Sequence, residues 1–140
     1  MNEETLNKVH TIIDSLQRGK WEEHGDQLLI SSQGKLASLM ANVGAMTATA
    51  EYEYNVRKIN HEQYEKEQYF VYRKEGMSAK DSEGNAKIDA FAKERTVFEA
   101  RHNWQTLKTL LKAMEAMSVA CSTTLKHQQK ERMQSNNQGN

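Results

Sequence analysis

The absence of proline constrains this chain more than any other feature of its sequence. None of the 140 residues is proline, the residue that most strongly interrupts helices because it lacks a backbone N–H and clashes with the preceding turn. Hydrophobic residues make up 37% of the chain and charged residues 27%, so helices can bury one face and expose the other. The sequence therefore predicts an all-α fold of single-domain size.

Two helical segments are predicted in the first half of the chain. From Thr5 to about Arg18, apolar residues recur at helical spacing, and Gly19 then stops the helix. In the connector that follows, Trp21 is expected to dock onto the body of the protein and Asp26 to cap the next helix. Residues 27–75 contain only two glycines as breakers, so this segment is predicted to be one long helix or two helices end to end.

A turn and a third helix are predicted next. Gly76 suits the left-handed cap that ends a helix, and Ser78 with Asp81 three residues later resembles a capping box. The third helix is expected to begin between Ser78 and residue 85 and to end near Arg132.

The predicted organisation is a short N-terminal helix plus a long helical hairpin that resembles a coiled coil. Residues 1–133 are expected to form a single helical domain, and residues 134–140 a disordered polar tail.

The spacing of apolar residues predicts self-association. The last helix has a broad apolar seam at heptad spacing, formed by Leu107, Leu111, Met114, Cys121 and Leu125. The middle helix has one stripe near its start and a second on another side, formed by Tyr52, Val56, Ile59, Gln63, Lys66 and Phe70. A hairpin supplies one neighbour for these faces, and a homo-oligomer is expected to supply the other.

Several classes of function are disfavoured by composition. The chain carries 19 basic and 19 acidic residues, so no long-range field attracts a polyanion, and any nucleic-acid site must be a local patch. One cysteine, Cys121, excludes an intramolecular disulfide and is expected to be a packed thiol in a reducing cytosol. No apolar run approaches the length of a membrane span, and the acidic N-terminus is unlike a signal peptide. We therefore expect a cytoplasmic protein without membrane contact.

No arrangement of residues typical of catalysis was found. Glu99 and His102 form a single Glu-x-x-His pair, whereas a di-iron bundle needs two such pairs and two further glutamates. Phosphate-binding loops and nucleophile motifs are lacking. The sequence therefore predicts no enzyme, no metal and no cofactor.

All tyrosines lie between Tyr52 and Gly76, interleaved with cations. Basic and acidic residues nearly balance there, which favours an ordinary solvated helix over a nucleic-acid surface. Lys66 nevertheless falls on a seam position, where a buried unpaired ammonium is costly. Three roles are open for it: pairing across a subunit contact, setting the register of packing, or facing a phosphate.

The layout from about Leu6 to Met133 resembles the UvsY-type recombination mediators of T-even-like bacteriophages. Within "KEQYFVYRKEG", Lys66, Tyr72 and Gly76 match the family's lysine, tyrosine and glycine turn, and Gln68 stands where the family has arginine. The resemblance implies a homo-oligomer that binds single-stranded DNA and helps a RecA-like recombinase load onto strand coated with single-strand-binding protein, in the bacterial host cytoplasm. The residues expected at the nucleic acid are Lys58, Lys66, Gln68, Tyr72, Arg73 and Lys74.

The family also implies that the apolar segment from Trp104 to Leu125 drives assembly, which places Leu107, Leu111, Met114, Cys121 and Leu125 at the oligomer interface. A second hypothesis belongs to another class of protein. Balanced charge and an acid-rich tyrosine stretch are equally compatible with a small phage coiled-coil adaptor or inhibitor that binds a host protein and has no affinity for nucleic acid.

Overall fold

A computed structural model describes residues 2–139 of the chain. Within that range there are no strands, and the elements are α1 (Glu3–Gln17), a short 3-10 turn (Trp21–Glu23), α2 (Asp26–Lys74) and α3 (Ala79–Gln138). The all-α prediction is confirmed, and the segment predicted as one helix or two is the single helix α2. Met1 and Asn140, at the ends of the predicted domain and tail, lie outside the described residues.

Helix α1 begins and ends where its local sequence directs it. The side chain of Asn2 accepts a hydrogen bond from the backbone N–H of Thr5 at 3.3 Å, and the first turn contains two glutamates, which suit the positive end of the helix dipole. Gly19 follows the helix with a φ of +78°, a conformation that glycine adopts readily. Burial of Val9, Ile13 and Leu16 gives the helix its inner face.

The turn between α2 and α3 agrees with its predicted chemistry. Gly76 has a φ of +89°, and its N–H donates to the carbonyl of Arg73 at 3.1 Å. The hydroxyl of Ser78 accepts from the N–H of Asp81 at 3.1 Å, so it caps α3. The prediction for the start of α2 was one residue off, because Asp26 is the first helical residue and its carboxylate pairs with Arg132 at 2.5 Å.

The chain divides into two compact units. The first unit contains the chain up to Met46 and from Lys108 onward, and the second is Thr47–Leu107. Both long helices contribute to both units.

The core of the first unit is built from large apolar side chains of all three helices. Trp21 packs against this core, as predicted. Its buried members are Val9, Ile13, Leu16, Leu29, Leu36, Leu39, Val43, Met114, Cys121 and Leu125.

Packing within the chain buries most of the residues that were predicted at the oligomer interface. Met114, Cys121 and Leu125 are buried within the chain itself, Leu111 is partly buried against the same core, and Leu107 is buried in the second unit. The seam on α3 is too broad for one partner helix, but α1 and α2 both contribute to the core that covers it. A second copy is not needed to bury these residues.

The second unit is an antiparallel pair of helix segments with a narrow interior. Its buried residues are mostly small: Ala50, Ser82, Ala86, Ala90, Ala100 and Leu107. The rings of Tyr54 and Trp104 stack with their centroids 5.5 Å apart. Close to the turn, the hydroxyl of Tyr72 donates to Asp89.

Helix α3 continues beyond its predicted end near Arg132. It extends to Gln138, and residues 129–139 are all exposed, so most of the segment expected to be a disordered tail is helical. Among residues 2–139, no helix is long and apolar enough to cross a membrane.

Candidate functional site

The six residues predicted to bind nucleic acid do not form one site. Lys58, Lys66, Arg73 and Lys74 are exposed, whereas Gln68 and Tyr72 are half-buried. Over residues 2–139, Lys58, Lys66 and Lys74 form no ion pair within 4 Å. The cations are therefore available to a ligand, whereas Gln68 and Tyr72 are less accessible.

Tyr72 joins the two helices of the second unit. Its hydroxyl lies 2.5 Å from Oδ2 of Asp89, to which it donates. This hydrogen bond is the main cause of a raised pKa for the Tyr72 phenol, with smaller contributions from burial and from the negative charge of Asp89. The side chain thus holds α2 to α3, an interaction between helices that a ring stacked on a base does not require.

Lys66 lies in an acidic groove. The groove is lined by Glu62, Glu65, Lys66, Tyr69, Phe70, Glu83 and Ala86. Three carboxylates around one ammonium give the groove a negative local charge, which favours a cation over a phosphate. Lys66 is therefore a poor candidate for the centre of a DNA site.

Cations do come together at the turn of the second unit. Arg73 and Lys74 occupy the last turn of α2 and Lys80 the first turn of α3, and all three are exposed. Nη1 of Arg73 donates to the carbonyl of Met77 at 2.9 Å, which holds the guanidinium at the turn. We call Arg73, Lys74 and Lys80 the cationic tip.

Large apolar side chains lie on the outer sides of the second unit. On α2, Tyr52 is 72% exposed, Ile59 53% and Phe70 61%; on α3, Ile88 is 71% exposed, Phe91 70% and Phe98 59%. We define the α2 edge as Tyr52, Val56, Ile59, Gln63, Lys66 and Phe70, and the α3 edge as Ile88, Phe91, Arg95, Phe98 and His102.

Helical spacing places each edge opposite the face that contacts the other helix. On α2, Ala50 and Tyr54 point toward α3, so Tyr52 between them points away. The sequence reasoning identified the α2 edge but missed the α3 edge, although steps of three and four residues from Ile88 through Phe98 were a signal for it.

Metal-binding groups are not assembled in the described part of the chain. Over residues 2–139, no group of three or more His, Cys, Asp or Glu side chains is placed to hold a metal ion. Glu99, half of the Glu-x-x-His pair, accepts a hydrogen bond from Arg95 at 3.3 Å. Burial raises the pKa of the Cys121 thiol, which keeps it protonated and unreactive.

Neither a protein-family model, nor a curated protein, nor a solved structure matches this chain. The cationic tip and the apolar edges are exposed features of the second unit that a ligand or a partner can reach.

Proposed function

We propose that this protein is a recombination mediator of the UvsY type. It is a non-enzymatic homo-oligomer that binds single-stranded DNA in the bacterial cytoplasm and assists a RecA-like recombinase to load onto strand coated with single-strand-binding protein. The observation that supports DNA binding is the cationic tip, where Arg73, Lys74 and Lys80 are exposed around one turn. Two of these cations are among the residues predicted from the sequence.

The tip of one chain provides few phosphate contacts. Single-strand binding without sequence preference depends on cations that follow the backbone of the nucleic acid. Two acidic residues, Glu75 and Asp81, also lie beside the tip. Self-association overcomes this weakness, because an oligomer presents the same small patch several times along one strand and multiplies modest affinities. Net charge of the single chain then matters less than the number of tips.

Fluorescence anisotropy with a labelled single-stranded oligonucleotide tests the proposal. The double variant Arg73→Ala with Lys74→Ala should bind more weakly than the wild type. The slope of log K against log salt should become shallower by about 1.4, since each phosphate contact with a single strand contributes about 0.7. A control variant, Lys8→Ala with Lys35→Ala, removes two exposed cations of the first unit and should leave that slope unchanged.

Two results would reject the DNA-binding proposal. One is an absence of binding by the assembled wild-type protein at low salt. The other is an equal loss of affinity in the tip variant and in the control variant, which would show that net charge and not the tip determines binding.

A second candidate function is supported by the apolar edges. A phage adaptor or inhibitor would use such edges to bind a host protein, and the acidic groove around Lys66 is compatible with it. The wild type would then show no affinity for DNA at any salt concentration. A specific protein partner would bind the wild type and lose affinity for the edge variant Phe98→Glu.

A further inference from the structure

In the second unit the small residues are buried and the large apolar residues are exposed, which is the reverse of an ordinary hydrophobic core. Alanines and one serine make up most of its buried residues, while three phenylalanines, two isoleucines and Tyr52 are more than half exposed. A two-helix layer is stable only when it buries apolar area against another layer or a neighbour. Both edges therefore need to be covered.

We infer that a second copy of this chain covers each edge, with the α2 edge of one copy packed against the α3 edge of the next. Such a head-to-tail contact repeats and produces a closed ring or an open filament. The inference rests on the self-association that is part of the proposed function, and it does not depend on DNA binding.

Contacts inside one chain show which residues of α2 and α3 lie at the same height along the helix axes, and we call each such height a level. Tyr54 faces Trp104, Tyr64 lies under Lys93, and Tyr72 bonds to Asp89. Facing residues on α2 and α3 thus lie at nearly equal distances from the turn. Copies related by a rotation axis parallel to the helices stand at the same height, so the same levels apply between copies.

At those levels the two edges match layer by layer. The five layers pair Val56 with His102, Ile59 with Phe98, Gln63 with Arg95, Lys66 with Phe91, and Phe70 with Ile88 of the next copy. Both edges advance in steps of three and four residues, so the match holds over the whole length of the contact.

The match also explains the polar residues at seam positions. Lys66 would lie over the ring of Phe91, a cation–π contact like that of Lys93, whose Nζ is 4.9 Å from the ring centroid of Tyr64. Glu94 would lie beside the same ammonium, because it shares a flank of α3 with Glu83, a residue of the groove that Lys66 lines. Gln63 would meet Arg95, so the polar groups of Lys66, Gln63 and Arg95 would each have a polar or π partner in the contact.

Pairing of like edges is less favourable. If two α3 edges met antiparallel with Phe91 on Phe98, Arg95 would face Arg95 of the other copy, and like charges would repel. If two α2 edges met with Tyr52 on Phe70, Lys66 would face Val56 and its ammonium would lose water without gaining a partner. Charge therefore favours the head-to-tail arrangement.

The exposed area is adequate for a specific contact. A buried aromatic side chain removes about 150–250 Å² from water. Tyr52, Phe70, Phe91 and Phe98 are between 59% and 72% exposed, so they contribute between about a third and a half of the roughly 1,200 Å² at the lower end of stable interfaces. Ile59, Ile88 and the aliphatic stems of Lys66 and Arg95 extend the contact.

Molar mass measured by light scattering during size-exclusion chromatography tests this arrangement. The wild type should assemble, while Ile59→Glu and Phe98→Glu should each run as monomers, because every head-to-tail interface would contain one charged edge. An equimolar mixture of the two variants should form a one-to-one dimer. In that dimer, the intact α2 edge of Phe98→Glu meets the intact α3 edge of Ile59→Glu.

Controls separate the interface from folding and from DNA binding. Ala116→Glu introduces the same charge on an exposed position of α3 in the first unit, outside both edges, and should assemble like the wild type, as should the conservative variant Phe98→Leu. Circular dichroism should show equal helix content in all variants. DNA binding is measured separately by anisotropy, so an assembled protein that ignores DNA refutes the mediator and leaves the interface standing.

Three outcomes would overturn the inference. The first is a wild type that stays monomeric at micromolar concentration, which would leave the edges to another protein. The second is a Phe98→Glu variant that assembles like the wild type. The third is a mixture of the two edge variants that remains monomeric while the wild type assembles, which would contradict the head-to-tail pairing.

Discussion

At the scale of single residues, Tyr72 shows how a side chain assigned to a ligand can instead serve the fold. Its match to a tyrosine of the UvsY-type family placed it among the residues expected at the nucleic acid. In the structure its hydroxyl donates to Asp89 across the two helices of the second unit. The hydrogen bond exists only while the phenol is protonated, so its contribution to stability depends on pH.

We expect Tyr72→Phe to be less stable than the wild type near neutral pH and to lose that disadvantage in strong base. The folded-state pKa of Tyr72 is raised, chiefly by the hydrogen bond to Asp89. The stabilisation is therefore complete below the unfolded value of about 10 and is lost as pH rises through the folded value. Urea unfolding of both proteins from pH 7 to pH 11 measures this, with the exposed Tyr52→Phe as control. A stability difference that stays constant to pH 11 would contradict the prediction.

At the scale of secondary structure, features set by near neighbours were predictable and features set by distant ones were not. The roles of Gly76 and Ser78 depend on hydrogen bonds within five residues along the chain, and both predictions are confirmed. The packing of Met114 and Cys121 inside the chain was not predictable, because the residues that cover them lie far away in sequence, on α1 and α2.

The candidate sites follow the same rule. The α2 edge was evident from its spacing, whereas the α3 edge was overlooked because Arg95 interrupts its apolar residues. The bond from Tyr72 to Asp89 depends on how α2 and α3 align beyond the turn, and no local pattern encodes that alignment. Lys66 was identified as an anomaly on a seam, and Glu62 and Glu65 are its neighbours in sequence, but the contribution of Glu83 became evident only when α3 was placed beside α2.

Two glycines of the second unit should respond in opposite directions to substitution by alanine. Gly76 has a φ of +89°, where a Cβ is disfavoured, so Gly76→Ala should lower the free energy of unfolding by about 1–2 kcal/mol. Gly84 lies within α3, and a Cβ there would meet no atom within 4 Å, so Gly84→Ala should raise it by about 0.5–1 kcal/mol. Chemical denaturation of both variants measures the difference. Equal effects would show that the turn does not require glycine.

At the scale of the whole molecule, the two units differ in what holds them together. The first unit buries leucines, valines, an isoleucine and a methionine in a core with contributions from three helices. The second has mainly alanine inside and keeps its large apolar side chains outside. Because burial of apolar area is the main stabilising contribution to folding, an isolated copy should hold its second unit less firmly than its first.

We therefore expect hydrogen exchange of the second unit to depend on assembly. In dilute wild-type protein, amides of Thr47–Leu107 should exchange faster than those of the first-unit core. Local opening of the second unit exposes less buried apolar area to water, so it costs less free energy. Raising the protein concentration should slow exchange in the second unit and leave the first-unit core unchanged, because only the second unit gains a neighbour. Mass spectrometry of peptides after timed exchange measures both, with Ala116→Glu expected to behave like the wild type and Phe98→Glu to stay fast at every concentration. Protection of the second unit that is equally high in Phe98→Glu and in the wild type would mean that its alanine interior is sufficient by itself, and that the exposed edges are not required for its stability.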